Sequence, residues 1–189
     1  MKRIQFKALL TIGLMLSAGE GVAQQISDMQ LIRTLGRVEN AAPAIDVALL
    51  VEEATASAGK GVANLPNWQK LSKLSQLILD IEFENDSVAI EPKSYRTVGL
   101  IADALHHPNL RRYKFLVVGH TSSTGDAQHN LKLSAQRANA ITEALSTTFA
   151  IAPDRLYSIG VGEEWPLDAA NLKAPENRRV QLINLGLVQ

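Results

Sequence analysis

The residues best placed to do chemistry lie between Val117 and Ala138, in the stretch VVGHTSSTGDAQHNLKLSAQRA. Asn130, Ser134 and Arg137 fall at i, i+4 and i+7, so a helix brings all three to one polar face. Before them, GHTSSTG is a Gly-bounded loop with hydroxyls at Thr121, Ser122 and Ser123. A loop that opens a helix offers backbone N–H groups and the positive end of the helix dipole. Arg137 adds a fixed charge whose planar fork matches a carboxylate. Non-covalent binding of a carboxylate is the chemistry this pattern predicts. The competing reading makes Arg137 a surface residue paired with a nearby acid. For the second basic pair, Arg178 and Arg179 in ENRRV, it is solvated charge at a strand end.

Other chemistries fit less well. His120 with Ser122 or Ser123 would supply a base and a nucleophile, but such close sequence neighbours rarely reach the required geometry, and no orienting acid has an evident place. His106 and His107 are adjacent and point to different sides of a helix end. Without cysteine or an H-x-x-x-H spacing, no zinc site is expected. Glu163 and Glu164 read as a solvated turn. Asp126 reads as the N-cap of the helix that follows it.

The elements that must position these residues are legible from Leu77 onward. LILDIEF alternates Leu77, Leu79, Ile81 and Phe83 on one face, a strand pattern. Pro92 suits the first turn of a helix, which carries Tyr95, Val98, Ile101 and Leu105 on one stripe and stops at Pro108. YKFLVVG is a strand buried on both faces. The helix after Gly125 runs to about Thr148 with Leu131, Ala138, Ile141 and Leu145 inward. RLYSIGVG and RRVQLINLG supply two more strands. The order β-α-β-α-β-β predicts an α/β (α+β) two-layer sandwich with a mixed sheet. Its lead-in, Gln25 to Lys73, is read as helical or partly disordered, with an amphipathic helix over Ala44 to Gly59 and turn residues in SAGKGVANLPN.

The chain has 189 residues, 19 basic and 19 acidic, and no cysteine. Its first 23 residues read as a signal peptide: Lys2, Arg3 and Lys7, an apolar run from Ala8 to Ala18, then Gly21 and Ala23 before Gln24. The run is shorter than the ~20 apolar residues of a membrane span. Cleavage takes three basic residues and one acidic one, which leaves a net charge of −2 and no basic face for nucleic acid. A chain without cysteine has neither disulfides nor a lipid-anchoring cysteine, so its stability rests on its core. The expected organisation is 1–23 signal peptide, 24–75 lead-in and 76–189 domain, with no transmembrane segment in the mature chain.

GHTSSTGDAQHNLKLSAQRANAI, followed by RLYSIGVGEEWPLDAANLKAPENRRVQL, resembles the C-terminal peptidoglycan-binding domain of OmpA-like proteins. That family includes peptidoglycan-associated lipoproteins and MotB-type flagellar stator proteins. The pattern is a GHTD-x-x-G loop, then N-x-x-L-S-x-x-R-A, then G-x-G-x-x-x-P and N-R-R-V. It is met in the loop by Gly119, His120, Thr121 and Gly125, and in the helix by Asn130, Leu133, Ser134, Arg137 and Ala138. Gly160, Gly162, Pro166, Asn177, Arg178, Arg179 and Val180 complete the match, which covers about Leu77 to Leu187.

The resemblance implies a non-catalytic protein of a Gram-negative envelope, exported to the periplasm and associated with the cell wall or outer membrane. It implies no cofactor and no metal. The implied partner is peptidoglycan, gripped through the diaminopimelate of its stem peptide, and other envelope proteins are possible partners. The implied site residues are Thr121, Ser122, Asn130, Ser134, Arg137 and Arg178. In that family an aspartate at the position of Ser122 takes the ligand's ammonium, and the helix arginine, here Arg137, takes the carboxylate. Ser122 brings no charge, and losing a charge-assisted hydrogen bond costs about 1.5–3 kcal/mol, roughly ten- to hundredfold in affinity. The alternative is an OmpA-like domain that keeps the fold as an interaction or structural module without binding peptidoglycan.

Overall fold

The computed structural model describes residues 28–36, 45–84 and 86–187. The signal-peptide reading of residues 1–23 falls outside them. Four strands form one mixed sheet in the order β1-β4-β2-β3, with β1 at Gln76–Leu79, β2 at Tyr113–Gly119, β3 at Leu156–Gly160 and β4 at Val180–Leu187. β4 runs antiparallel to both β1 and β2, and β2 and β3 are parallel. As the sequence predicts, YKFLVVG is interior. Phe115 and Val117 enter one core cluster, and Leu116 and Val118 enter the other.

On the first face pack helix α4, Tyr95–His106, and helix α5, Ala127–Glu143, which continues as one π-helical turn over Ala144–Thr148. Val98, Ile101, Leu105, Ala138, Ile141 and Leu145 meet Val117 and Leu182 there. Tyr95 departs from its predicted place on this stripe. It opens the helix and is 44% exposed, so the buried stripe begins at Val98.

Short helix α1, Asp28–Leu35, joins the same face through Leu31, Ile32 and Leu35, and Asn184 Nδ2 donates to the Leu35 carbonyl at 2.7 Å. The opposite face is covered by the rest of the lead-in. Helix α2, Val47–Ala56, is capped by Asp46, whose side chain accepts from Ala48 N and Leu49 N. Helix α3, Pro66–Leu71, starts inside the stretch read as turn residues, because Pro66 occupies a first-turn position where its missing N–H costs nothing. Leu50, Ala54, Trp68 and Leu71 pack on Leu116, Val118, Ile159 and Ile183. The lead-in thus adds a helical layer to the expected pair of helices on the sheet.

Two departures from regular strands set up the site. β1 stops at Leu79 rather than continuing to Phe83, which forms only an isolated antiparallel bridge with Ile90. The chain leaves the sheet in a tight turn: Ser87 N donates to Glu84 O at 3.2 Å, and Asp86 takes φ 47°, a conformation aspartate tolerates. At the same end of the sheet, α5 lies directly on the ends of β2 and β3. A Cβ at Gly119 would come within 2.1 Å of Ser134 O, and one at Gly160 within 2.1 Å of Ala135 N. Only glycine at both strand ends lets the helix seat there.

Candidate functional site

The polar face of α5 separates into two roles. Ser134 is fully buried; its hydroxyl donates to Leu131 O at 2.8 Å and accepts from Gly162 N at 2.8 Å. It joins α5 to the loop after β3. Asn130 is also buried and donates through Nδ2 to Ser122 O at 3.3 Å, Thr124 O at 3.2 Å and a Glu163 carboxylate oxygen at 2.7 Å. It ties the Thr121–Thr124 loop to the helix. Arg137, one turn further along, points out beyond both.

Arg137 is half-buried, and the turn after β1 holds it. Nε donates to Ser87 O at 2.9 Å and Nη2 to Glu84 O at 3.2 Å, while its guanidinium lies 4.9 Å from the centroid of the Phe83 ring. Among the described residues it forms no ion pair, so the surface-pair reading does not describe it. Burial lowers its pKa, Asp86 opposes that shift and Arg178 adds to it; a guanidinium remains protonated at neutral pH all the same. Carbonyls orient this cation, and among the described residues no carboxylate forms an ion pair with it.

The preceding loop is more closed than its composition suggests. His120 N donates to Arg179 O, Thr121 N to Gly162 O and Ser123 N to Leu172 O, at 3.0, 2.8 and 2.9 Å. Asp126 caps α5 by accepting from His129 N at 2.8 Å, as expected. Three of the loop's N–H groups are thereby spent inside the protein. Ser122 is 4% exposed, and its hydroxyl donates to Thr124 Oγ1 at 3.4 Å. Thr121 is buried, and its hydroxyl has no hydrogen-bond partner among the described residues.

Of the six residues predicted for the site, Arg137 and Arg178 line one open cleft of about 390 Å³ at the end of the sheet. Thr121, Ser122, Asn130 and Ser134 do not line it. Gly119, His120, Pro175 and Arg179 complete this side. The cleft is also lined by the acidic Asp80, Glu82 and Glu91, with Ile81 and Phe83. Lys93 bridges Glu82 at 2.9 Å and Glu91 at 3.3 Å, and the two carboxylates raise its pKa through those bonds.

Sequence reasoning missed the acidic lining, because no spacing rule connects the exit from β1 to α5. It also missed Arg179, 9% exposed with its pKa lowered to about 10 by burial, although strand alternation opposite Val180 carries that signal. Arg179 Nη2 donates to Trp165 O at 3.0 Å. His120 is buried beside it, with Nδ1 3.2 Å from the same carbonyl and no hydrogen bond to Ser122 or Ser123. Burial first, and then Arg179, hold His120 well below its ordinary pKa of 6.5.

The solvated-turn reading of Glu163 and Glu164 is corrected. Glu164 is 5% exposed, and its carboxylate accepts from Gly59 N and, at 2.6 Å, from Gly61 N. Glu163 is the acid that orients Asn130. The docked lead-in is the physical reason, since its glycine turn brings two N–H donors against the Glu164 carboxylate.

A mixed four-stranded sheet carrying α4 and α5, with an oriented arginine at one end of the sheet, defines an OmpA-type domain. The OmpA family matches residues 82–179, more than half of the chain, and the chain belongs to that family. It is 31% identical over 113 residues to outer membrane porin F of Pseudomonas fluorescens, covering 59% of this chain and 34% of that protein. It is 32% identical over 108 residues to the peptidoglycan-binding protein ArfA of Mycobacterium bovis, covering 54% of this chain and 31% of that one. The chain therefore spans about a third of the length of these relatives. Among solved structures, a periplasmic domain of MotB is similar in fold, with a TM-score of 0.50, 22% identity, and coverage of 60% of this chain and 62% of that one.

Proposed function

We propose that this chain is a non-catalytic envelope protein that binds peptidoglycan without a covalent bond, through the diaminopimelate of the stem peptide. The observation that carries this reading is Arg137: a half-buried guanidinium, oriented by two carbonyls and a ring, in no ion pair among the described residues, beside Arg178 in an open cleft. A cation held this way is organised for an incoming carboxylate and gives up little side-chain freedom on binding. Family membership and the printed description of ArfA as peptidoglycan-binding support the same ligand. An exported location at the cell wall or outer membrane follows from that ligand. Asn130 and Ser134 act as positioning residues, since both hold the loops that frame the helix.

Ser122 limits the loop's share of the grip. It offers an ammonium a neutral hydroxyl at most, and that hydroxyl is buried and turned toward Thr124. This observation favours a second reading, an OmpA-type domain that has lost peptidoglycan binding and serves as an interaction module. Sedimentation with purified sacculi separates the two. The first reading expects wild type to sediment and Arg137→Ala to stay in the supernatant, with a loss of about tenfold or more in affinity. Wild type remaining in the supernatant favours the second.

A further inference from the structure

We infer that His129 is a positioning residue for the Arg137 site: by holding Asp86, it keeps this neighbouring carboxylate off the guanidinium and leaves the charge for an incoming ligand. This rests on the peptidoglycan-binding reading and names a residue on which that site depends. Two side chains of α5 fasten the turn after β1. Arg137 takes the Ser87 and Glu84 carbonyls through Nε and Nη2, and two helical turns earlier His129 Nε2 meets Asp86 Oδ1 at 3.0 Å. Residues 129 and 137 are eight apart, so both side chains leave the helix on one side. The turn is thus held through its carbonyls at one point and through its acid at the other.

A guanidinium has five N–H donors. The carbonyls of the turn use one on Nε and one on Nη2, and among the described residues nothing accepts from Nη1. The fork between Nη1 and Nη2 is therefore the one left for a carboxylate. Asp86 carries a carboxylate of its own, and it lies near enough to Arg137 to oppose the fall in pKa that burial causes. Asp86 and His129 are both exposed, so nothing but their contact fixes the Asp86 side chain on the His129 side. Once released, Asp86 competes within the molecule for the free fork. Apparent affinity then falls with the fraction of sites left open.

Binding isotherms of the full-length chain on purified sacculi test this through a two-residue cycle. His129→Ala is expected to weaken binding about two- to fivefold, the scale of one exposed charge pair. His129→Gln, whose amide Nε2 donates in place of the imidazole, should retain wild-type affinity. Adding Asp86→Asn to His129→Ala should restore it, because the competing charge is then gone. A merely structural role for His129 would not be rescued by a change that also removes its partner. If wild type binds sacculi and His129→Ala binds equally well, or if its loss persists in the double variant, the role of His129 is overturned while the binding reading stands. If wild type itself does not bind, the binding reading fails first and the role of His129 falls with it.

Discussion

Arg137 and Ser122 show how little a residue's type settles until its surroundings are known. Spacing put Asn130, Ser134 and Arg137 on one face, and they share it. Periodicity cannot say which members of a face a neighbouring loop will bury, and the loop after β3 buries two of the three. Only Arg137 lines the cleft, its charge aimed by the carbonyls of Glu84 and Ser87. His120 illustrates the reverse case, in which burial silences a titratable group. Burial and the nearby Arg179 hold its pKa well below 6.5, so the folded chain keeps it neutral. Below about pH 6.5 the unfolded chain binds a proton that the folded chain refuses, so stability falls with pH by up to about 1.4 kcal/mol per unit. Denaturant midpoints measured at about pH 7.5 and about pH 5.5 should differ in that direction, and His120→Gln should reduce the difference. An undiminished pH dependence in the variant contradicts this account of His120.

Most of the elements were legible because their apolar patterns are strong: β2 as a run buried on both faces, and α4 and α5 as helical stripes. The errors lie where tertiary contact decides. LILDIEF alternates along its length, yet the Glu84–Ser87 turn draws the chain off the sheet after Leu79, and that departure builds the Arg137 clamp. α3 was hidden among turn residues, since six residues show too little periodicity to recognise and Trp68 is ordered by what it packs against. Its ring meets Trp165 edge-on at 5.4 Å. The Glu164 carboxylate fastens the same layer through Gly59 N and Gly61 N. A chain beginning at residue 76 loses that layer and uncovers Leu116, Val118, Ile159, Val161 and Ile183. Each such side chain contributes about 1.5–3 kcal/mol when fully buried, so the shortened chain should unfold less cooperatively and bind a hydrophobic dye at room temperature. A sharp thermal transition at the full-length midpoint, without dye binding, would show that α2 and α3 are dispensable to the fold.

At the scale of the whole molecule, the lead-in and the sheet meet in the segment from Glu163 to Trp165. Glu163 orients Asn130 and with it the Ser122 loop, Glu164 holds the glycine turn, and the Trp165 carbonyl receives Arg179. The segment after β3 thereby ties the lead-in layer, the sheet and α5 to one another. Among the described residues no helix is long and apolar enough to cross a membrane. The central claim is that a carboxylate of diaminopimelate lies against Arg137. Its most direct test is release of the chain from sacculi by soluble ligands. Free diaminopimelate should displace the bound chain, whereas 1,5-diaminopentane, the same skeleton without its carboxylates, should leave it sedimenting. Retention on sacculi at saturating diaminopimelate, or equal release by the two compounds, would contradict the account.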